Sequence, residues 1–280
     1  MTSAFGSALA AGRMLLPLLG GLLIGCASAP QVAVAIPTAV PELRPGILVG
    51  YLPRTALPDS LALLPPPPAP GSAEQAADDA AFQAAAPRRG SARWTLAAAD
   101  APLAFPKAAR TFSCALNAPI DPLTTPNLYM LLRRSLADAG LATYAAKDHH
   151  RRTRPFVAHK APSCTPSEEH SLAKDGSYPS GHASVGWAWS LILTEMAPER
   201  TNELLARGLA FGQSRVICGV HWQSDVTQGR VIGAATVARL HADPVFRAQF
   251  DAARQELTVV RAQGLPPQGD CATEATALKP

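Results

Sequence analysis

The chain has 280 residues, 48% hydrophobic and 16% charged, with a net charge of +4. That length can bury a proper core in one sizeable domain or two small ones. The near-balanced charge, with no long basic block and no interleaving of aromatic and basic residues, argues against a nucleic-acid polymer as partner.

In chain order, residues 1–26 read as a targeting segment. Arg13 precedes an apolar stretch from Met14 to Ile24 that is too short and too glycine-rich to span a bilayer. It ends Leu23-Ile24-Gly25-Cys26, which resembles the lipobox of bacterial lipoproteins, where the cysteine is acylated. Ordinary signal cleavage near Ala27-Ser28-Ala29 is the alternative, and Pro30 disfavours it. Either route exports the chain, to the periplasm or to an outer-membrane anchor, with membrane contact only through the lipid. The expected domains are a flexible tether over 27–45, a catalytic domain over 46–265 and a C-terminal tail over 266–280.

Helical signals dominate the rest. Ser72 and Gln75 have capping-box spacing before an Ala-rich helix ending near Ala86, and another helix is expected near 93–99. Thr125-Pro126 supplies an N-cap and a first-turn proline, Leu128, Leu131, Leu132 and Leu136 form one face, and Gly140 closes that helix. Further helices are predicted over about 182–196, 199–216 and 223–240, with a last amphipathic one opened by Asp243-Pro244 and running to about Val260. Strand alternation is scarce and no apolar run reaches about 18 residues, so the expected fold is all-α, a helical bundle without a membrane span.

Three clusters carry the chemistry. They are Lys147 to Arg154-Pro155, Pro179-Ser180-Gly181-His182, and Ser214-Arg215 followed by His221 and Asp225. Lys147, Arg154 and Arg215 can neutralise a phosphate-sized oxyanion, arginine as a planar fork and lysine as a point charge. Ser180-Gly181-His182 is expected where a loop enters a helix, whose free N–H groups favour an anion. Ser180 taken alone would be a plain N-cap. His221 and Asp225 are four apart, so one helical turn lets the carboxylate fix the imidazole tautomer. Arg151 and Arg152 read as support. His149 and His150 face either substrate or solvent, His159, His170 and His241 lack partners in the sequence, and Trp187, Trp189 and Trp222 read as core or pocket wall.

The pattern K-x6-R-P, P-S-G-H and S-R-x5-H-x3-D resembles the acid phosphatase and vanadium haloperoxidase superfamily, and every fixed position is filled. Within it, the stretches 176–182 and 217–225, with Leu63-Leu64-Pro65-Pro66-Pro67-Pro68 and Gly71-Ser72 upstream, are most similar to the class A bacterial non-specific acid phosphatases. Ala183 and His150 depart from that class, which usually has threonine and an aromatic there. The resemblance implies an all-α domain in which His221 is the nucleophile forming a phosphohistidine, Asp225 orients it, and His182 is the acid and base. It implies small phosphate monoesters as substrates, no metal or other cofactor, and vanadate as an inhibitor. A homo-oligomer is compatible with it.

Besides Cys26 the chain has Cys114, Cys164, Cys218 and Cys271, an even set that suits an oxidising compartment. Three pairings are open, and Cys114–Cys164 with Cys218–Cys271 is the expected one. No C-x2-C or H-E-x-x-H spacing suggests zinc. A vanadium-dependent haloperoxidase and a non-catalytic surface lipoprotein are the competing readings.

Overall fold

The computed structural model describes residues 34–279, together with Ala4 and Gly6. Apart from those two residues, the targeting segment with Cys26 and the first part of the expected tether lie outside the described residues. The stretch expected as tether ends in a short strand, β1 (Glu42–Arg44), which pairs antiparallel with β2 (Ile47–Leu48). Gly46 at φ 79° makes their turn. The segment behind this hairpin is latched to the bundle: Tyr51 and Leu52 donate their amides to the buried Asp138 at 2.9 and 3.0 Å.

Helices form most of the remaining chain: α1 (Ser60–Leu63), α2 (Ala73–Ala85), α3 (Ala92–Ala99), α4 (Ser113–Leu116), α5 (Pro126–Leu141), α6 (Tyr144–His150), α7 (Pro155–Ala158) and α8 (Glu169–Leu172). Then come α9 (Gly181–Met196), α10 (Thr201–Ile217), α11 (Gln223–Leu240), α12 (Pro244–Ala262) and α13 (Cys271–Ala277). The architecture is all-α apart from the hairpin, and no described helix is long and apolar enough to cross a membrane.

Local chemistry explains the starts. Ser72, Ser91 and Asp243 accept from backbone amides of the first turns of α2, α3 and α12. Thr125 occupies the cap position of α5 without capping it through its side chain. Glu256 of α12 does so instead, accepting from the amides of Asn127 and Leu128 at 2.9 and 3.0 Å. α5 also runs one residue past Gly140.

Helix α9 is the axis of the bundle, packed between α5, α10 and α11. Its Trp189 is fully buried beside Phe112 and Phe211. Close approach of α11 depends on glycine: a Cβ at Gly229 or Gly233 would lie 2.4 Å from the carbonyl oxygens of Ser180 and Ser184. That contact seats α11 directly on the first turn of α9, where Gly181 and His182 lie.

The disulfides correct the expected pairing. Cys114 bonds Cys271 and Cys164 bonds Cys218. The loop carrying Cys164 runs beside the end of α10, where the Cys164 amide donates to the Cys218 carbonyl at 3.2 Å. The C-terminal segment, expected as a tail, returns to α4, with the Gln268 amide on Ser113 Oγ at 2.7 Å, and forms α13 there. Proximity in sequence is a poor guide to pairing once helices carry the chain back across the bundle.

Candidate active site

Backbone hydrogen bonds join the three sequence clusters to one another. Ser177 N–H donates to Arg152 O, Ser180 N–H to Asp225 O, and Phe156 N–H to Gly219 O, each at 2.9 Å. The Cys164–Cys218 bridge adds a covalent tie between the loop that follows the first cluster and the third cluster. They meet at a cavity of about 1070 Å³ lined by Lys147, Arg154, Arg215, Gly181, His182 and His221, with Leu43, Ile47, Leu57, Leu103 and Val185 among its apolar walls.

His221 is buried just before α11. Its Nδ1 lies 3.3 Å from Asp225 Oδ2, and Arg154 Nη1 is 3.1 Å from its Nε2. A guanidinium can only donate, so Nε2 is an acceptor and the proton sits on Nδ1, facing the carboxylate. Asp225 also accepts from the Trp222 amide at 2.9 Å, which caps the helix start. One carboxylate therefore starts α11 and sets the imidazole tautomer. Burial holds His221 well below the usual histidine range, and Arg154, Lys147 and Arg215 push the same way.

The three cations differ. Arg154 is spent on the protein, donating to carbonyls of Leu172, Asp175 and Val220 and pairing with Asp175 at 3.1 Å. Lys147 donates to the carbonyls of Gly176 and Pro179 at 2.8 and 3.1 Å, and burial, aided by Arg154, lowers it to about 8. Arg215 is fully buried, its Nε and Nη1 have no partner among the described residues, and burial lowers it to about 10. A buried guanidinium left with unpaired N–H groups costs several kcal/mol of desolvation, of order the penalty for breaking a buried pair. An oxyanion in the cavity would relieve that cost.

Ser180 is buried and caps α9, its Oγ accepting from the Ala183 amide at 3.3 Å. The amides of Gly181 and His182 form no hydrogen bond among the described residues, leaving them free at the helix start. A Cβ at Gly181 would meet only Thr143 Oγ1, at 3.7 Å, so the protein itself does not demand glycine there. His182 Nε2 lies 2.8 Å from the Ala101 carbonyl, and burial, with Arg215 next, holds the ring well below the usual range.

Among known families, the PAP2 superfamily matches residues 128–248, which contain Lys147, Arg154, Ser180, Gly181, His182, Arg215, His221 and Asp225. A non-specific acid phosphatase of Providencia stuartii is 41% identical over 86% of the chain and 98% of its own length. Another from Salmonella typhimurium is 45% identical over 69% of the chain and 78% of its length. An acid phosphatase of Zymomonas mobilis is 40% identical over 75% of the chain and 79% of its length. The chain belongs to the acid phosphatases of the PAP2 superfamily.

This acid phosphatase has a further layer that the sequence clusters did not reveal. Arg152, read only as support, is half-buried and donates to Asp225 Oδ1 at 2.7 Å, Ser224 Oγ at 2.7 Å, Asp78 Oδ2 at 2.8 Å and Gln75 Oε1 at 2.7 Å. Asp78 also accepts from the Ser224 amide at 2.8 Å. The available signal was Gln75 and Asp78, three apart on one face of an otherwise alanine-rich helix. Arg151, by contrast, is exposed at the left-handed end of α6. Tyr178 donates to Pro65 O at 2.6 Å, which ties the proline run to the second cluster.

The other histidines lie outside the cavity lining of the phosphatase. His159 pairs with Asp79 at 2.9 Å and His241 with Glu195 at 2.9 Å, while His170 is 2.9 Å from Lys174. Trp222 is buried outside the cavity lining, and its Nε1 donates to Thr153 O at 2.8 Å. No cluster of three His, Cys, Asp or Glu side chains arranged for a metal occurs among the described residues.

Proposed function

We propose that the chain is an exported phosphomonoesterase that hydrolyses small phosphate monoesters through a phosphohistidine on His221, with no metal in the reaction. The observation that carries this reading is Arg215, a buried guanidinium with two nitrogens unpartnered among the described residues, in the same cavity as an imidazole whose Nε2 Asp225 keeps unprotonated, its lone pair facing Arg154 Nη1 until a phosphoryl group takes that place. The phosphate oxygens take Arg215, Lys147, the Gly181 and His182 amides and the Ser180 hydroxyl as partners, and Arg154 adds its charge beside them, turning Nη1 from His221 Nε2 to the phosphate as the substrate enters, which supplies the charge neutralisation a metal provides elsewhere.

In the first half-reaction the His221 Nε2 lone pair forms the N–P bond as the P–O bond to the leaving group breaks. Protonated His182 gives its Nδ1 proton to the departing oxygen. Asp225 stabilises the positive charge that develops on His221. In the second half, neutral His182 takes a proton from water, the water oxygen attacks phosphorus, and the N–P electron pair returns to His221. Inorganic phosphate leaves. Vanadate, which adopts the same five-coordinate geometry, is proposed as an inhibitor.

Export is supported by the leader over 1–26 and by two disulfides, which persist in oxidising compartments. Lipid anchoring at Cys26 is the preferred form of that export. The test is phosphate release from p-nitrophenyl phosphate by the mature chain with EDTA present, alongside His221→Ala. Turnover in the native chain and none in the variant is expected. Activity abolished by chelation and restored by a divalent metal would sink the metal-free mechanism. Vanadate- and peroxide-dependent bromide oxidation in place of hydrolysis would turn the assignment to a haloperoxidase.

A further inference from the structure

His182 rests on one backbone carbonyl, and the residue before that carbonyl is among the most heavily bonded side chains in the protein. Asp100 closes α3 and is 2% exposed. Its carboxylate accepts from Arg207 Nη1 at 3.1 Å, Arg207 Nη2 at 2.5 Å and Ser214 Oγ at 2.6 Å. Arg93 donates to Ser214 Oγ at 2.9 Å, and Arg207 Nε donates to Thr111 O at 3.0 Å while lying 3.4 Å from Glu274 of α13. Asp100 does not line the cavity and cannot touch the phosphate. Its neighbour Ala101 is buried and accepts from His182 Nε2.

A carbonyl oxygen only accepts, so Nε2 of His182 carries a hydrogen in both protonation states and Nδ1 is the nitrogen that exchanges protons. The ring also stacks on Phe211, with centroids 6.1 Å apart and planes 25° from parallel. Arg207, Phe211, Ser214 and Arg215 recur at helical spacing on α10, so one helix supplies the clamp on Asp100, the stacking partner of the acid and the unpaired guanidinium. The Ala101 carbonyl favours the protonated ring, against burial, Arg215, His221 and Arg154, which all oppose it.

We propose that Asp100, clamped by Arg207 and Ser214, is a positioning residue for leaving-group protonation: it holds the Ala101 carbonyl against His182 Nε2 and so presents Nδ1 to the ester oxygen. Ser214, a fixed member of the sequence pattern, thereby has a place in the clamp behind the acid. The inference rests on His182 being the acid, as proposed above.

The test compares kcat/KM for glycerol phosphate, whose alkoxide must be protonated, with kcat/KM for p-nitrophenyl phosphate, whose phenolate leaves without a proton. Asp100→Asn is expected to lower the alkyl ester about tenfold or more while the aryl ester changes less than about threefold. Ser214→Ala keeps the Asp100–Arg207 pair intact, so it provides the same comparison without breaking that buried ion pair. It should show a smaller loss with the same selectivity. Equal losses on both esters in these variants, or no loss in either, would overturn the proposal as a merely structural network. His182→Ala is the reference: if it discriminates between the esters and Asp100→Asn does not, the clamp alone fails. If His182→Ala loses both esters equally, the acid reading fails and the clamp falls with it.

Discussion

His221 and His182 share one cavity, but the protein holds them by opposite means. His221 leans on a buried carboxylate, and that carboxylate is itself held by Arg152, which reaches on to Asp78 of α2. His182 leans on the neutral Ala101 carbonyl. A nucleophile becomes cationic as it attacks phosphorus, so a fixed negative charge behind it favours the transition state. An acid that must also serve as base has to lose and regain its proton every turnover. A carboxylate there would hold the proton too firmly, and a carbonyl fixes the ring without doing so. In the proposed mechanism, charge backs the nucleophile and a dipole backs the acid.

The largest effect should come from removing the charge behind His221. Asp225→Asn is expected to lower kcat/KM about a thousandfold or more, the scale seen when a tautomer-setting carboxylate is neutralised. Binding of inorganic phosphate should change little, because Arg215 and Lys147 are untouched. Steady-state kinetics with phosphate as competitive inhibitor measures both. A loss confined to phosphate affinity would place Asp225 in binding rather than in activating His221.

Arg152→Met probes the next link outward, and the expected loss is about tenfold to a hundredfold, a misplacement effect. It should also depend on pH. Burial raises the Asp225 pKa, and Arg152 is the foremost influence lowering it again. Without Arg152 the carboxyl protonates at higher pH and ceases to accept from His221. The variant should therefore lose most activity on the acidic side, and a profile that keeps its shape would contradict this link.

The smallest effect tests the acid side. Since His182 titrates well below the usual histidine range, its protonated fraction grows only as pH falls. For alkyl phosphates kcat/KM should rise several-fold as the medium is acidified from about pH 7 toward about pH 5, until another group titrates. For p-nitrophenyl phosphate the profile should be flatter. Parallel profiles for the two esters would remove the contrast between the two histidines.

Much of this arrangement was legible in the chain. Helix boundaries near Ser72, Gly181, Gln223 and Pro244 follow from caps and apolar periodicity, which are local properties. Lys147, Arg154, His182, Arg215 and His221 do line one cavity, because motif spacing encodes the loops that bring them together. What was not legible is long-range. Glu256 capping α5 across 128 residues and Arg152 reaching Asp78 across 74 leave no local trace. The disulfide pairing failed for the same reason, since the return of α13 to α4 depends on how the helices stack. The Ala101 carbonyl is the extreme case: a backbone oxygen has no residue type to recognise.

The most direct measurement is rapid quenching of the enzyme during turnover of a radiolabelled phosphate ester, with peptide mapping of the label. The expected result is an acid-labile, alkali-stable phosphoryl group on His221, present in the native chain and absent in His221→Ala. Label on another residue, or full turnover with no covalent phosphate at any quench time, would contradict a phosphohistidine mechanism.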